Sequence, residues 1–262
     1  MSQAEEREKR REERQRAEAE DSVRERRQRL IKLVSAAAFL AIIAVVVAVI
    51  VSQSGSSSNG SGGGTNLSGI GKVNTELKGL PQNGAVLGDP SAKAKLIEYG
   101  DLQCSTCQFY AEKVLPSIIS GPVRAGDASI EFRPVEVIGP QSVPAAAAAE
   151  AAGKQGRFWS YIELFYANQG GENSGYVTDD FMTAVAKGAG VPNIDKWNQD
   201  RKTAGGKQLV TQNLRQFRAF GFTGTPSFAI QSGNGPEKAI PGQVGTTVLS
   251  LAQLGAEINQ AG

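Results

Sequence analysis

The sequence predicts an α/β domain carried behind a single membrane-spanning segment. Three observations point there. An uncharged apolar run occupies residues 33–51, a strand, helix and strand follow one another across residues 94–138, and strand-like segments return near residue 227 after a long helical stretch. The 262 residues, 40% apolar, suffice for one large or two small globular units.

Residues 1–32 hold eleven of the 28 Lys and Arg and nine of the 26 Asp and Glu. Pairs such as Glu5 with Lys9 and Glu12 with Arg16 suit a solvated helix, but the sustained apolar positions of a coiled coil are missing. The near balance of charge also argues against a nucleic-acid-binding arm. This segment reads as a charged tail.

Residues 33–51, LVSAAAFLAIIAVVVAVIV, are long enough at about 1.5 Å per residue to cross most of a bilayer. A cleaved signal peptide would have a shorter apolar centre and a small-residue cleavage site, and AVIVSQS offers no clear A-x-A, so the run reads as an uncleaved signal anchor. Arg24, Arg26, Arg27, Arg29 and Lys32 crowd its N-terminal flank while the other flank is uncharged. The positive-inside rule then keeps the tail cytoplasmic and puts the rest of the chain outside. Residues 52–64, SQSGSSSNGSGGG, have flexible-coil composition, and with the weakly patterned residues to 84 they form a tether reaching on the order of 30 Å.

In the outer domain, residues 85–262, AKLIEY at 94–99 reads as a short buried strand. From Cys107 onward, CQFYAEKVLPSII shows helical spacing through Phe109, Val114, Leu115 and Ile118, and Pro116 should kink that helix or mark its last turns. Residues 129–138 alternate as a second strand, so strand-helix-strand order suggests parallel pairing through a right-handed crossover. Three or four helices, punctuated by glycines and Pro192, are expected over about 144–220. SFAIQ and KAIPG then resemble a hairpin, and an amphipathic helix with Thr246 or Thr247 as its cap closes the chain.

Composition removes several classes of function. Histidine is absent, which excludes Ser-His-Asp and Cys-His hydrolases and most zinc, copper and non-haem iron sites. No P-loop follows a candidate strand, and the overall charge of +2 gives no field suited to nucleic acid. What remains is the pair Cys104 and Cys107, the whole cysteine complement, in QCSTCQ.

Three bland readings of this pair are available. A structural disulfide would close a loop of about four residues and contribute roughly 2 kcal/mol before strain, a poor place for a staple. A zinc site has only two thiolates per chain against the four ligands it needs. Inert buried thiols fit badly with polar Gln103, Ser105, Thr106 and Gln108 alongside, which argue against full burial. The remaining reading uses position. A helix beginning near Cys104 points unpaired amides and the positive end of its dipole at that sulfur, favouring the thiolate, and Cys107 one turn later can resolve a mixed disulfide formed at Cys104. A peroxidase would carry Pro and Thr or Ser ahead of its cysteine, where this chain has IEYGD at 97–101.

The segments EYGDLQCSTCQFYAEKVLP, GKQGRFWSYIELFY and GFTGTPSFAI together resemble the DsbA-like branch of the thioredoxin fold, over roughly residues 84–262. The resemblance implies a thioredoxin-like α/β core, a central mixed sheet with helices on both faces, interrupted by a helical subdomain. It implies that Cys104 attacks and Cys107 resolves, and that Glu98 is the buried acid moving protons to and from Cys107. Pro226 matches a cis-proline facing the pair, and Thr225 before it would offer backbone hydrogen bonds to an extended polypeptide, bordered also by Ser105 and Thr106. Phe158, Trp159 and Phe165 read as packing of the inserted helices.

The chain departs from better-known members between the cysteines. Ser105-Thr106 stands where oxidases carry Pro-His and thioredoxins Gly-Pro, and it supplies no cation for the thiolate.

The expected function is that of a membrane-tethered extracytoplasmic thiol-disulfide oxidoreductase giving disulfides to secreted or cell-surface polypeptides. It would use no cofactor beyond its own Cys104-Cys107 disulfide, a membrane redox partner to reset it, and lipid contact through one helix. Disulfide reduction or isomerisation, a redox-silent binding module, and a redox sensor signalling to the charged tail are the alternatives.

Overall fold

The computed structural model describes residues 66–240 and 251–261. The expected tail, the membrane anchor, the Gly/Ser-rich part of the tether at 52–64 and the caps Thr246 and Thr247 lie outside these residues. Among the described residues no helix is long and apolar enough to cross a membrane.

Among the described residues a six-stranded mixed sheet organises the domain, its strands in spatial order being β1 (Gln82–Asn83), β2 (Val86–Leu87), β4 (Ala128–Pro134), β3 (Ala94–Gly100), β5 (Ser227–Ser232) and β6 (Lys238–Ala239). Its centre is β3 (Ala94–Gly100), paired parallel to β4 (Ala128–Pro134) and antiparallel to β5 (Ser227–Ser232). The connection from β3 to β4 runs through two helical segments, Ser105–Lys113 and Leu115–Ile118, so the expected strand-helix-strand unit is present. β6 (Lys238–Ala239) pairs antiparallel with β5, forming the expected hairpin. Successive β3 side chains point to opposite faces. Ala94 and Leu96 enter the larger apolar cluster, whereas Ile97 and Tyr99 enter a smaller one with Phe217 and Phe222.

The folded region begins earlier than the expected residue 85. Helix α1 (Ile70–Glu76) buries Val73 and packs on a later helix, and β1 (Gln82–Asn83) and β2 (Val86–Leu87) form a tight hairpin. Gly84 in the hairpin's two-residue turn has φ 57, the left-handed region that glycine enters without steric cost. The hairpin is fixed from its tip, where Ala85 O accepts from Trp159 Nε1 at 2.9 Å and from Phe132 N at 3.1 Å.

The crossover begins with α2 (Ser105–Lys113), capped at its N-terminus by Cys104. Helix α3 (Leu115–Ile118) follows across a break at Val114, with Pro116 in its first turn, as the proline requires. One part of the expected helical stripe differs: Phe109 is 54% exposed, and α2 instead buries Cys107, Tyr110 and Ala111. The strand expected over 129–138 also stops early, at Pro134. The amides of Val137 and Ile138 leave the ladder and donate to Asp101 Oδ2 at 2.8 and 2.9 Å.

The helical interruption contains more pieces than the three or four expected. Among the described residues it comprises α4 (Ser142–Gly153), α5 (Phe158–Tyr166), α6 (Asp179–Gly188), α7 (Ile194–Asp200) and α8 (Ala204–Ala219). The extra breaks fall at short turns. Gly156, with φ 68, separates α4 from α5, and Thr203 N bonding to Asp200 O separates α7 from α8. Phe158, Trp159 and Phe165 are all fully buried, consistent with a packing role. Helix α9 (Leu251–Ala261) closes the chain against β3 and β5.

Candidate active site

The site forms where β3 ends and α2 begins. Asp101, fully buried, shapes this connection by accepting from the amides of Gln103 (2.8 Å), Val137 and Ile138, while its carbonyl accepts from Cys104 N at 3.0 Å. Gln103 is buried as well, because its amide group is engaged: Nε2 donates to Ser142 Oγ at 2.9 Å and Oε1 accepts from Asn173 N at 3.3 Å. Gly100 admits the close approach beneath them, since a Cβ there would stand 2.5 Å from the Phe132 ring.

These contacts correct one inference from the sequence. Polar neighbours do not hold the cysteines open: Cys104 is only 4% exposed and Cys107 is wholly buried. A polar side chain can be buried without large cost when its hydrogen bonds are made inside the fold, as those of Gln103 are.

Cys104 sits on the N-cap of α2, and its Sγ donates to Thr225 O at 3.4 Å. The peptide bond between Thr225 and Pro226, in the segment leading into β5, is cis. Cys107, one turn along α2, lies inside the core. Glu98 is buried on the face of β3 that also carries Ala94 and Leu96, which pack in one cluster with Cys107 of α2. The structure thus brings Cys104, Cys107, Glu98, Thr225 and Pro226 together across three separate stretches of chain. Ser105 is exposed and Thr106 half-buried at the start of α2.

The two thiols are driven apart in acidity. A hydrogen bond from the Cys107 thiol to the Cys104 sulfur, outweighing burial and aided by Thr225 and the amides of Cys107 and Thr106, brings Cys104 down from 9.0 to about 6. Burial pushes Cys107 well above 9.0, reinforced by its donation to Cys104 and by the negative charges of Cys104 and Glu98. Burial also lifts Glu98 from 4.5 to about 8, with the charge on Cys104 adding to the rise. Near neutral pH the arrangement therefore presents one ionised sulfur, one protonated sulfur and a carboxyl group still holding its proton. That set can run a two-step thiol-disulfide exchange. Among the described residues no cluster of three or more potential ligands is placed to hold a metal ion.

Sequence reasoning missed a strap over this site. The connection from α5 to α6 crosses the cysteine motif, with Gln169 Nε2 donating to Gln103 O at 2.9 Å and Tyr176 Oη to Leu102 O at 3.2 Å. At its centre Glu172 Oε1 accepts from both Ser105 N and Ser105 Oγ, each at 2.8 Å. No local motif announces these pairs, because Glu172 and Ser105 are 67 positions apart. Asp101 did carry a signal, an Asp at the end of a strand, where its carboxylate commonly organises the following turn.

Comparison with known proteins agrees with this architecture. The family model described as thioredoxin matches residues 81–238, more than half of the chain. A probable disulfide bond formation protein D from Bacillus cereus is 28% identical over 145 residues, covering 54% of this chain and 67% of that protein. Oxidised BdbD from Bacillus subtilis superposes with a TM-score of 0.57 at 21% identity, covering 70% of this chain and 96% of that one. The α-DsbA1 of Wolbachia pipientis gives a TM-score of 0.53 at 18% identity over 68% of this chain and 89% of that one. At these identities the two structures speak for the fold. The family match, with a cysteine pair opening a helix beneath a cis-proline, shows that the chain belongs to the thioredoxin family as a DsbA-like thiol-disulfide oxidoreductase.

Proposed function

We propose that this oxidoreductase is tethered to the plasma membrane by residues 33–51, works on the extracytoplasmic side, and donates disulfides to secreted or cell-surface polypeptides through Cys104. The apolar run and its one-sided cationic flank support the tether and its orientation. The observation that carries the chemistry is the acidity of Cys104, with a midpoint of about 6 beside a Cys107 thiol held protonated. A stabilised thiolate stabilises the reduced pair, and that makes the disulfide form a good electron acceptor.

The exchange balances in two steps. A substrate thiolate attacks Cys104 Sγ of the Cys104-Cys107 disulfide, forming a mixed disulfide and releasing the Cys107 sulfur, which takes a proton from Glu98. A second substrate thiolate then attacks the substrate sulfur of that mixed disulfide, expelling the Cys104 thiolate and closing the substrate disulfide. Two electrons pass from substrate to enzyme, and a membrane redox partner removes them to restore the Cys104-Cys107 disulfide. Thr225 and Pro226, with Ser105 and Thr106, border the polypeptide during both steps.

Replacing Cys107 by serine tests this directly. In the variant the Cys104 thiolate attacks a substrate disulfide and expels one substrate thiolate, the reverse of the second step, and no Cys107 sulfur is present to displace it, so mixed disulfides with extracytoplasmic proteins are expected to accumulate, visible on non-reducing gels and lost when Cys104 is also replaced. Absence of such adducts would overturn the proposal. Reduction or isomerisation of substrate disulfides is the second reading. One observation favours it: a carboxylate, Glu172, lies on the first amide of α2.

A further inference from the structure

Glu172 has no part in the exchange just described, yet it touches the element that sets the chemistry. Ser105 is the first residue of α2, and its N–H is among the first-turn amides that the helix itself leaves unpaired. Those amides, together with the macrodipole, favour an anion at this end of the helix. Two candidates for that anion meet here. One is the Cys104 thiolate on the N-cap, and the other is the exposed Glu172 carboxylate, which accepts from Ser105 N and Ser105 Oγ at 2.8 Å each.

The carboxylate is held there. Gln169 and Asn173, on either side of it in the strap, bond to the O and Oε1 of Gln103, and Asn173 Nδ2 donates to Ile138 O at 3.0 Å. Asn173 adopts φ 54, a left-handed conformation that asparagine tolerates better than most residues, which turns the strap at this point. Among the described residues no ion pair engages Glu172, so its charge is not neutralised by a neighbouring cation. The other groups facing Cys104 are Glu98 from β3, Cys107 from α2, Tyr166 from α5 and the Thr225 carbonyl from the segment before β5, while the Asp101 carboxylate is taken up by three amides.

We propose that Glu172 is a positioning residue that lowers the reduction potential of the Cys104/Cys107 pair, by claiming the first amide of α2 and setting a like charge beside the Cys104 thiolate. The thiolate is then less stabilised than the helix terminus alone would make it, so the reduced form is less favoured and the disulfide is a milder oxidant. This places a brake on an otherwise acidic cysteine. The inference rests on the exchange chemistry proposed above for Cys104 and Cys107.

The test uses the full-length chain in detergent, as wild type, Glu172→Gln and Glu172→Ala. Glutamine keeps an acceptor oxygen for Ser105 and removes the charge, and alanine removes both. Two quantities are read: the midpoint of Cys104 thiolate absorbance, and the equilibrium in which one glutathione disulfide takes two electrons from the protein dithiol to give two glutathiones and the protein disulfide. Both variants should lower the midpoint by about half a unit and shift the equilibrium about threefold toward the protein dithiol, the size of a charge effect at a helix end. Threefold corresponds to about 15 mV for a two-electron couple. A purely structural cap would lower thermal stability and leave both quantities where they are, and that result would overturn the inference. Failure of the wild type to exchange with glutathione at all would instead overturn the proposed function, while the thiolate midpoints would still decide what Glu172 does.

Discussion

Glu98 and Tyr99 are neighbours on β3, yet they face opposite sides of the sheet and meet opposite conditions. On the Tyr99 side the charged and phenolic groups are paired, and the small hydroxyl of Ser129 is left without a partner among the described residues. Tyr99 Oη accepts from Arg133 Nη1 at 2.9 Å, and Arg133 also donates to Glu131 at 2.7 Å and Glu237 at 2.6 Å. The rings of Phe217, Phe220 and Phe222 surround Tyr99 at centroid distances of 6.1, 6.2 and 5.7 Å. On the Glu98 side the buried oxygens Tyr110 Oη, Glu163 Oε1 and Thr225 Oγ1 have no hydrogen-bond partner among the described residues. One face of the sheet pairs its charged groups and supports stability. The other leaves titratable groups poorly solvated, which spreads their acidities, as enzymes commonly do where chemistry takes place.

If this contrast is correct, substitutions on the two sides should fail differently. Arg133→Met should have the largest effect on stability. It strands the partly buried Glu237 without its cation and leaves Glu131 only Lys95 at 3.4 Å, and a loss of roughly 3 kcal/mol is expected on thermal or urea unfolding, with the Cys104 thiolate midpoint unchanged. A matching shift of that midpoint would erase the distinction between the faces.

Glu98→Gln should do the reverse, costing activity while relieving the fold at higher pH. The folded state holds the Glu98 proton up to about 8, whereas the unfolded chain gives it up near 4.5. Folded wild type therefore binds more protons across that window, so the contribution of Glu98 to stability falls as pH rises through it and levels off above it. Glu98→Gln has no such slope. Its stability relative to wild type should climb between those two pH values, by an amount on the order of a few kcal/mol, while disulfide exchange slows about tenfold or more. A pH-independent difference between the two proteins would contradict the buried, protonated state of Glu98.

Thr225→Val should give the smallest change. The Thr225 hydroxyl is buried without a partner in the thiol form, so an isosteric methyl is expected to alter unfolding free energy by less than about 1 kcal/mol. Because the Thr225 side chain also favours the Cys104 thiolate, the thiolate midpoint should rise slightly. A large loss of stability would show that this hydroxyl is satisfied after all.

The sequence makes some of this legible and hides the rest for physical reasons. β3, the crossover, the break just ahead of Pro116 and the β5–β6 hairpin follow from local patterns of apolar residues and proline. The resemblance adds what local pattern cannot, the pairing of Pro226 with a cysteine motif more than a hundred residues earlier. Helix α1 and the β1–β2 hairpin escape notice because seven- and two-residue elements are too short to show a period, although Asn83-Gly84 is a turn signal. The divisions between α4 and α5 and between α7 and α8 are turns inside sequences that read as continuous helix. Full burial of Gln103 and the reach of Glu172 to Ser105 depend on tertiary contacts, so no reading of neighbouring residues could supply them.

The account stands on Cys104 being the ionised sulfur and Cys107 the protonated one. The most direct measurement is the pH dependence of iodoacetamide alkylation of the reduced protein, with the modified cysteine identified by mass spectrometry. The account predicts that Cys104 alone reacts, with a rate that rises through a midpoint of about 6. A midpoint near the ordinary thiol value of 9.0, or alkylation of Cys107 ahead of Cys104, would contradict it.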